Sequence, residues 1–266
     1  MLTSYHNHTA WSDGEGTIAE FVAAARLAGV VAVGISDHYV PLPNGGTLSW
    51  SMPLDALDGY VAEVHAVAGE YPAGAVLLGL ETDYFPETIT ALAETLRRYP
   101  FDYIIGSVHL LDDFPIDESP DNWAPLREDE RVEIARRYWR RLRAMAESKV
   151  FDIAAHLDLY KKYGWQPAAD LAREITEALD ALAAAGMALE INTAGWDKPA
   201  EEAYPAEAIL REARRREIPL VINADAHRGQ DVTAHFARAR ALARTAGYTE
   251  LCGYRQRERF SILLEE

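Results

Sequence analysis

The feature that most constrains this chain is a rhythm. Seven short, continuously apolar runs alternate with longer amphipathic stretches. Runs apolar at every position suit strands buried on both faces, and such strands pair in parallel through helical crossovers. The runs fall at residues 3–6, 31–36, 76–80, 103–107, 151–155, 188–191 and 220–223. The helical stretches fall at 17–28, 54–69, 87–98, 129–148, 168–185, 205–216 and 233–246. The first is the clearest: Thr17 and Glu20 are spaced for a capping box, Ile18, Phe21, Val22 and Ala25 share a face, and Gly29 ends it. Pro205 suits a first helical position, and Gly186 and Gly247 suit positions just past helix ends. This alternation predicts an α/β fold, either a barrel or a doubly wound sheet. A length of 266 residues suits one barrel domain.

In both architectures the carboxyl ends of the parallel strands form the active face. Here every apolar run leads into polar residues. They are His6-Asn7-His8, Asp37-His38, Glu81, His109, His156, Asn192-Thr193 and Asp225-Ala226-His227. Seven ends can converge on one point only if the sheet closes, so the barrel is favoured. Six of the eight histidines lie at or beside these ends. His6 and His8, like Asp225 and His227, stand two apart, which on an extended strand turns both side chains to one side. Asp13, Asp37 and Glu81 add carboxylates. Imidazole and carboxylate together suit Zn, Fe or Mn, and one ion needs about four protein ligands, so this many candidates points to two or three ions. His65 and His235 fall inside helical stretches and are expected to be structural or surface-exposed.

Composition narrows the field. Cys252 is the only cysteine, so intrachain disulfides are excluded and a thiolate metal site is not expected. The net charge of −16 argues against nucleic-acid binding, which needs clustered Lys and Arg, but not against a small phosphate drawn to bound cations. The arginines of 127–143 are interleaved with acids around an apolar face, which reads as a solvated helix. No apolar run approaches a membrane span and the first residues do not resemble a signal peptide, so the expected location is the cytoplasm and no membrane partner is expected.

The segments HNHTAWSDG, SDH, GLETDY, GSVH, AAHLD and NADAH resemble, in order, the successive motifs of the PHP (polymerase and histidinol phosphatase) superfamily. That resemblance runs from residue 6 to residue 227. It implies a distorted (β/α)7 TIM-like barrel with a trinuclear metal centre held by His6, His8, Asp13, His38, Glu81, His109, His156, Asp225 and His227. YPFDYIIGSVHLLDDFPID, HLDLYKKYG and EINTAG are most similar to the histidinol-phosphate phosphatases within it. They imply hydrolysis of L-histidinol phosphate, in histidine biosynthesis, by a hydroxide shared between two ions. Glu81 would bridge ions, and Asp225 and His227 would join it as catalytic ligands. The alternative within the superfamily is an esterase acting on nucleotides or other small phosphoesters. A metal-dependent amide hydrolase and a metal-storage protein are the more distant readings.

Lys161 and Lys162 follow His156 closely, and one of them is expected to meet the substrate phosphate as a point charge. Asn192, at a strand end, is a candidate hydrogen-bond donor to substrate. The acidic segment 110–125 is expected to be a helix-poor loop that covers the site or simply faces solvent. If it covers the site, Asp112, Asp113 or Asp117 would read the positive charge of histidinol.

Overall fold

The computed structural model describes residues 1–264. All seven apolar runs form parallel strands. They are β1 (Thr3–Ser4), β2 (Ala32–Ile35), β3 (Val76–Leu78) with its continuation β4 (Glu81–Asp83), β5 (Ile105–Ser107), β8 (Ile153–Ala154), β9 (Ala188–Asn192) and β10 (Leu220–Asn223). Pairing runs β1-β2-β3 in one sheet and β4-β5-β8-β9-β10 in another. The sheets meet where the chain bends between β3 and β4. The ring closes just past the strand ends: His8 N–H donates to the Ala226 carbonyl at 2.8 Å, and Ala226 N–H donates to His6 at 3.2 Å. The pleat therefore continues from β10 into β1, giving a distorted seven-stranded barrel.

The outer helices are α1 (Ile18–Leu27), α2 (Leu57–Ala68), α3 (Ile89–Leu96), α5 (Glu128–Ser148), α6 (Ala172–Ala185), α7 (Glu207–Arg215) and α8 (Phe236–Thr245). The capping box at Thr17 and Glu20 forms, and Ile18, Phe21, Val22 and Ala25 are the buried face of α1. Gly186 ends α6 in the left-handed conformation. Several boundaries differ from expectation by two or more residues, three of them with a cause in the local contacts or sequence. Pro205 lies ahead of the Ala206 cap of α7 and not in its first turn, because the chain at Tyr204 is still bridged to Asn192. Helix α6 begins at Ala172, past the polar turn 166–170. His235 stands outside α8 at φ 57°, bonded to Asp197, with Phe236 as the first helical residue.

Two hairpins and one helical turn go beyond the sequence expectation. Segment 110–125 contains a small hairpin of β6 (Leu110–Leu111) and β7 (Phe114–Pro115), then a single turn α4 (Pro120–Trp123). The chain ends in the antiparallel hairpin β11 (Glu250–Arg255) and β12 (Glu258–Leu263). This hairpin closes the amino end of the barrel. Tyr254 donates to the Asp152 carbonyl at 3.0 Å, and Arg257 N–H donates to Asp102 at 2.9 Å, both just ahead of strands. Cys252 and Tyr254 pack with Tyr5, Tyr103, Ile105 and Val221 in one apolar cluster. Tyr103 can cross that interior because its neighbours are glycines: an added Cβ would lie 2.0 Å from the Tyr103 hydroxyl at Gly34 and 2.2 Å from its ring at Gly79. The hydroxyl donates to the Tyr5 carbonyl at 2.5 Å.

Candidate active site

Alternation along each strand carries the interior from apolar to polar. Val221 lies in the lower cluster, and Asn223 and Asp225 follow on the same side; Ala188 leads to Glu190 and Asn192; Tyr103 and Ile105 lead to Ser107 and His109. The upper end consequently collects titratable groups that are far apart in the chain.

Glu81 is at the centre and fully buried. Its carboxylate lies 3.0 Å from His6 Nε2, 3.4 Å from His8 Nε2, 3.0 Å from His38 Nδ1, 3.8 Å from His109 Nε2 and 3.1 Å from His156 Nε2. Asp225 approaches His6 at 3.4 Å and His8 at 3.1 Å. Asp13 approaches His38 at 3.8 Å and His227 at 3.3 Å. All nine candidate ligands are thus in one constellation. Seven of them fall in three overlapping groups: His8, Asp13, His38 and His227; His6, His8 and Glu81; His38, Glu81 and His109.

A second layer holds these rings, and the strand-end pattern missed it. Glu190, fully buried, bonds His6 Nδ1 at 3.0 Å and accepts from Asn223 at 2.7 Å, Asn192 at 2.9 Å and the His156 N–H at 2.9 Å. Asp83 bonds His109 Nδ1 at 2.6 Å and accepts from Ser107 at 2.8 Å. Carboxylates on the far ring nitrogen fix the tautomer and leave Nε2 facing Glu81. The sequence does hold a signal: Glu190 is a lone charge inside the apolar run ALEIN, and Asp83 stands two past Glu81. Asp37 is in none of these groups of ligand atoms. It accepts from Thr9 N–H at 2.7 Å and Ser12 at 2.6 Å, and so fixes the turn that presents Asp13.

The electrostatics are those of a site built for cations. Burial opposes ionisation of Glu81, yet His6, His38 and His109 hold it well below the usual carboxylate range. Burial likewise works against a charged His6, but Glu190, Asp225 and Glu81 raise it well above the ordinary imidazole value. Asp83 overcomes burial to raise His109 to about 10. His8 goes the other way: burial and the neighbouring His38 and His227 push it down to about 3, so its ring is neutral and its lone pair available. The buried His8 Nε2 and His38 Nδ1 have no hydrogen-bond partner, although each stands within 3.4 Å of a carboxylate oxygen. Unpartnered imidazole nitrogens crowding carboxylates are what a divalent cation between them would satisfy. The residues fit metal ions.

Asp13, His38, His109, Asp225 and His227 open onto a cavity of about 610 Å³, whose other walls include Trp50, Asp113, Asp117, Lys162 and Lys198. The two adjacent lysines separate here. Lys162 lines the cavity and pairs with Asp117 at 2.9 Å. Lys161 is 1% exposed, pairs with Asp158 at 3.0 Å and Glu202 at 2.7 Å, and does not line the cavity. Asn192 spends its amide on Glu190 and on Asp225 at 3.1 Å, so it orients a candidate ligand. Asp112 is held outside by Arg137 and Arg141.

The PHP domain family matches residues 4–194, a span holding all the candidate ligands except Asp225 and His227. The chain belongs to the PHP family. A probable histidinol-phosphatase of Deinococcus radiodurans is 38% identical over 251 residues, which cover 92% of this chain and 94% of that one. The histidinol-phosphatase of Bacillus subtilis is 26% identical, covering 81% and 89%. The histidinol phosphate phosphatase of Lactococcus lactis, solved with Zn, L-histidinol and phosphate, superposes with a TM-score of 0.82 over 97% of this chain and 98% of that one, at 22% identity. The barrel described above is therefore a PHP barrel. Among the described residues no helix is long and apolar enough to cross a membrane.

Proposed function

We propose that this PHP protein is a cytoplasmic metal-dependent phosphomonoesterase that hydrolyses L-histidinol phosphate to L-histidinol and phosphate. One observation carries the reading: five imidazoles from four strand ends surround the buried Glu81, with Asp13, Asp225 and His227 beside them, under a cavity that also holds lysines and aspartates. The 38% identity to a probable histidinol-phosphatase supports the substrate.

His6, His8, Asp13, His38, Glu81, His109, His156, Asp225 and His227 would hold two or three ions of Zn, Fe or Mn, with Glu81 shared between ions. Such ions supply charge neutralisation of the phosphate and a water acidic enough to act near neutral pH. The chain's own residues do the rest. Glu190 and Asp83 keep His6 and His109 in the tautomer that presents Nε2. Lys162, which lines the same cavity, offers a point charge to phosphate, with Asp117 holding its ammonium in place. Asp225, with 21% of its side chain exposed and one oxygen bonded to Asn192, is held ionised against its burial by His6, His8 and His227, and can take the proton given up by the attacking water and relay it to the departing alkoxide. Asp113 and Asp117 suit the ammonium or imidazolium of histidinol.

Phosphate release from histidinol phosphate and from a panel of nucleotides, with protein purified without chelator, tests the reading. Turnover should favour histidinol phosphate, vanish after dialysis against chelator and return with Zn, Mn or Fe. A preference for a nucleotide would overturn the substrate, and activity indifferent to chelator would overturn the chemistry.

A further inference from the structure

The cavity has one aromatic wall that is not a histidine. Trp50 lies against two of the candidate ligands, with ring centroids 4.8 Å from His38 and 5.3 Å from His109. Its loop is tied to the strand end it covers. Met52 N–H donates to the His38 carbonyl at 3.0 Å, Ser51 Oγ donates to that carbonyl at 3.3 Å, and Val40 N–H donates to Ser51 Oγ at 3.0 Å. The indole is therefore preset, at little entropic cost on binding. Leu48, Leu110 and Pro115 extend the apolar wall, and Asp113 and Asp117 line the same cavity.

A phosphate taken at the histidine end leaves the rest of its ester beside this indole. An apolar, electron-rich face with carboxylates nearby selects a planar group bearing positive charge, since an aromatic face attracts cations and the acids complete their solvation. A neutral polyol has nothing to gain there. We propose that Trp50 is the specificity-determining residue of this site, a fixed platform for the planar cationic part of the phosphate ester. The assignment rests on the phosphatase reading above and adds the feature of the substrate that the chain selects.

Trp50→Ala and Trp50→Phe are compared with wild type on histidinol phosphate and on glycerol phosphate. For Trp50→Ala, kcat/KM on histidinol phosphate falls at least roughly tenfold more than on glycerol phosphate, mainly through KM, and Trp50→Phe recovers part of the difference. Binding is read separately, without turnover: L-histidinol should quench wild-type tryptophan emission, and the quench should be lost in Trp50→Phe. Circular dichroism melts check that each variant is folded; if Trp50→Ala is not, Trp50→Leu replaces it. Equal losses on both esters would make Trp50 a mere cover for the centre, and an unchanged quench in Trp50→Phe would overturn the platform. Failure of wild type to turn over histidinol phosphate, with the Trp50-dependent quench intact, would sink the phosphatase reading and leave this one standing.

Discussion

The two ends of the barrel are made by the same strands and obey opposite rules. At the amino end Tyr5, Tyr103, Cys252 and Tyr254 close an apolar plug in which the polar atoms find backbone partners: Tyr103 on Tyr5, Tyr254 on Asp152. At the carboxyl end, a few residues further along, His6, His8 and Glu81 are equally buried, yet ring nitrogens are left unpaired. Buried polar groups without partners cost stability, so a fold keeps them only where something else satisfies them or function requires them. The comparison teaches that the lower end is satisfied by the folded chain alone, whereas the upper end keeps groups of the kind that a cation would satisfy. Substitutions should therefore split cleanly between stability below and activity above.

The largest break is expected at the centre of the upper end. Glu81→Gln removes the carboxylate that five imidazoles share, and kcat/KM for phosphate release should fall at least about a thousandfold, with bound metal lost by elemental analysis. A thermal melt close to wild type would show that the loss is chemical. Next comes the plug. Tyr254→Ala empties a nearly fully buried site and strands the Asp152 carbonyl, for a cost of about 3 kcal/mol in denaturant titration, while activity per folded molecule stays. A comparable loss of specific activity would refute the division between the two ends.

Glu190→Gln sharpens the comparison from the second layer. It keeps the shape but weakens the hold on His6 Nδ1, so metal affinity should drop roughly 10–100-fold and activity at limiting metal with it. Excess metal restoring the rate would mark Glu190 as a positioning residue. The smallest effect is expected from Tyr103→Phe, which deletes one hydroxyl donor in the plug and should cost about 1 kcal/mol with no change in KM.

How much of this was legible in the sequence depends on the range of the interaction. The seven strands announce themselves because burial on both faces demands unbroken apolar runs, and the helices by their 3.6-residue stripe. Boundaries slipped where a local contact outweighed propensity, as at Pro205 and His235. The C-terminal hairpin was unreadable, because only its packing under the barrel distinguishes ELCGYR and ERFSIL from loop. Lys161 and Lys162 are identical in sequence context, and only the fold sends one into an ion pair with Asp158 and the other to the cavity.

The sequence by itself determined the α/β alternation and the crowd of histidines at strand ends, because periodicity is local and histidine at a strand end is a countable event; the set of nine candidate ligands came from the resemblance of its motifs to the PHP superfamily. Only the tertiary structure decided that Glu81 is the hub, that Glu190 and Asp83 steer the rings, and that Trp50 stands over His38 and His109. These are distances between residues tens to hundreds of positions apart, and they exist only once the ring of strands has closed between Asn7 and Ala226.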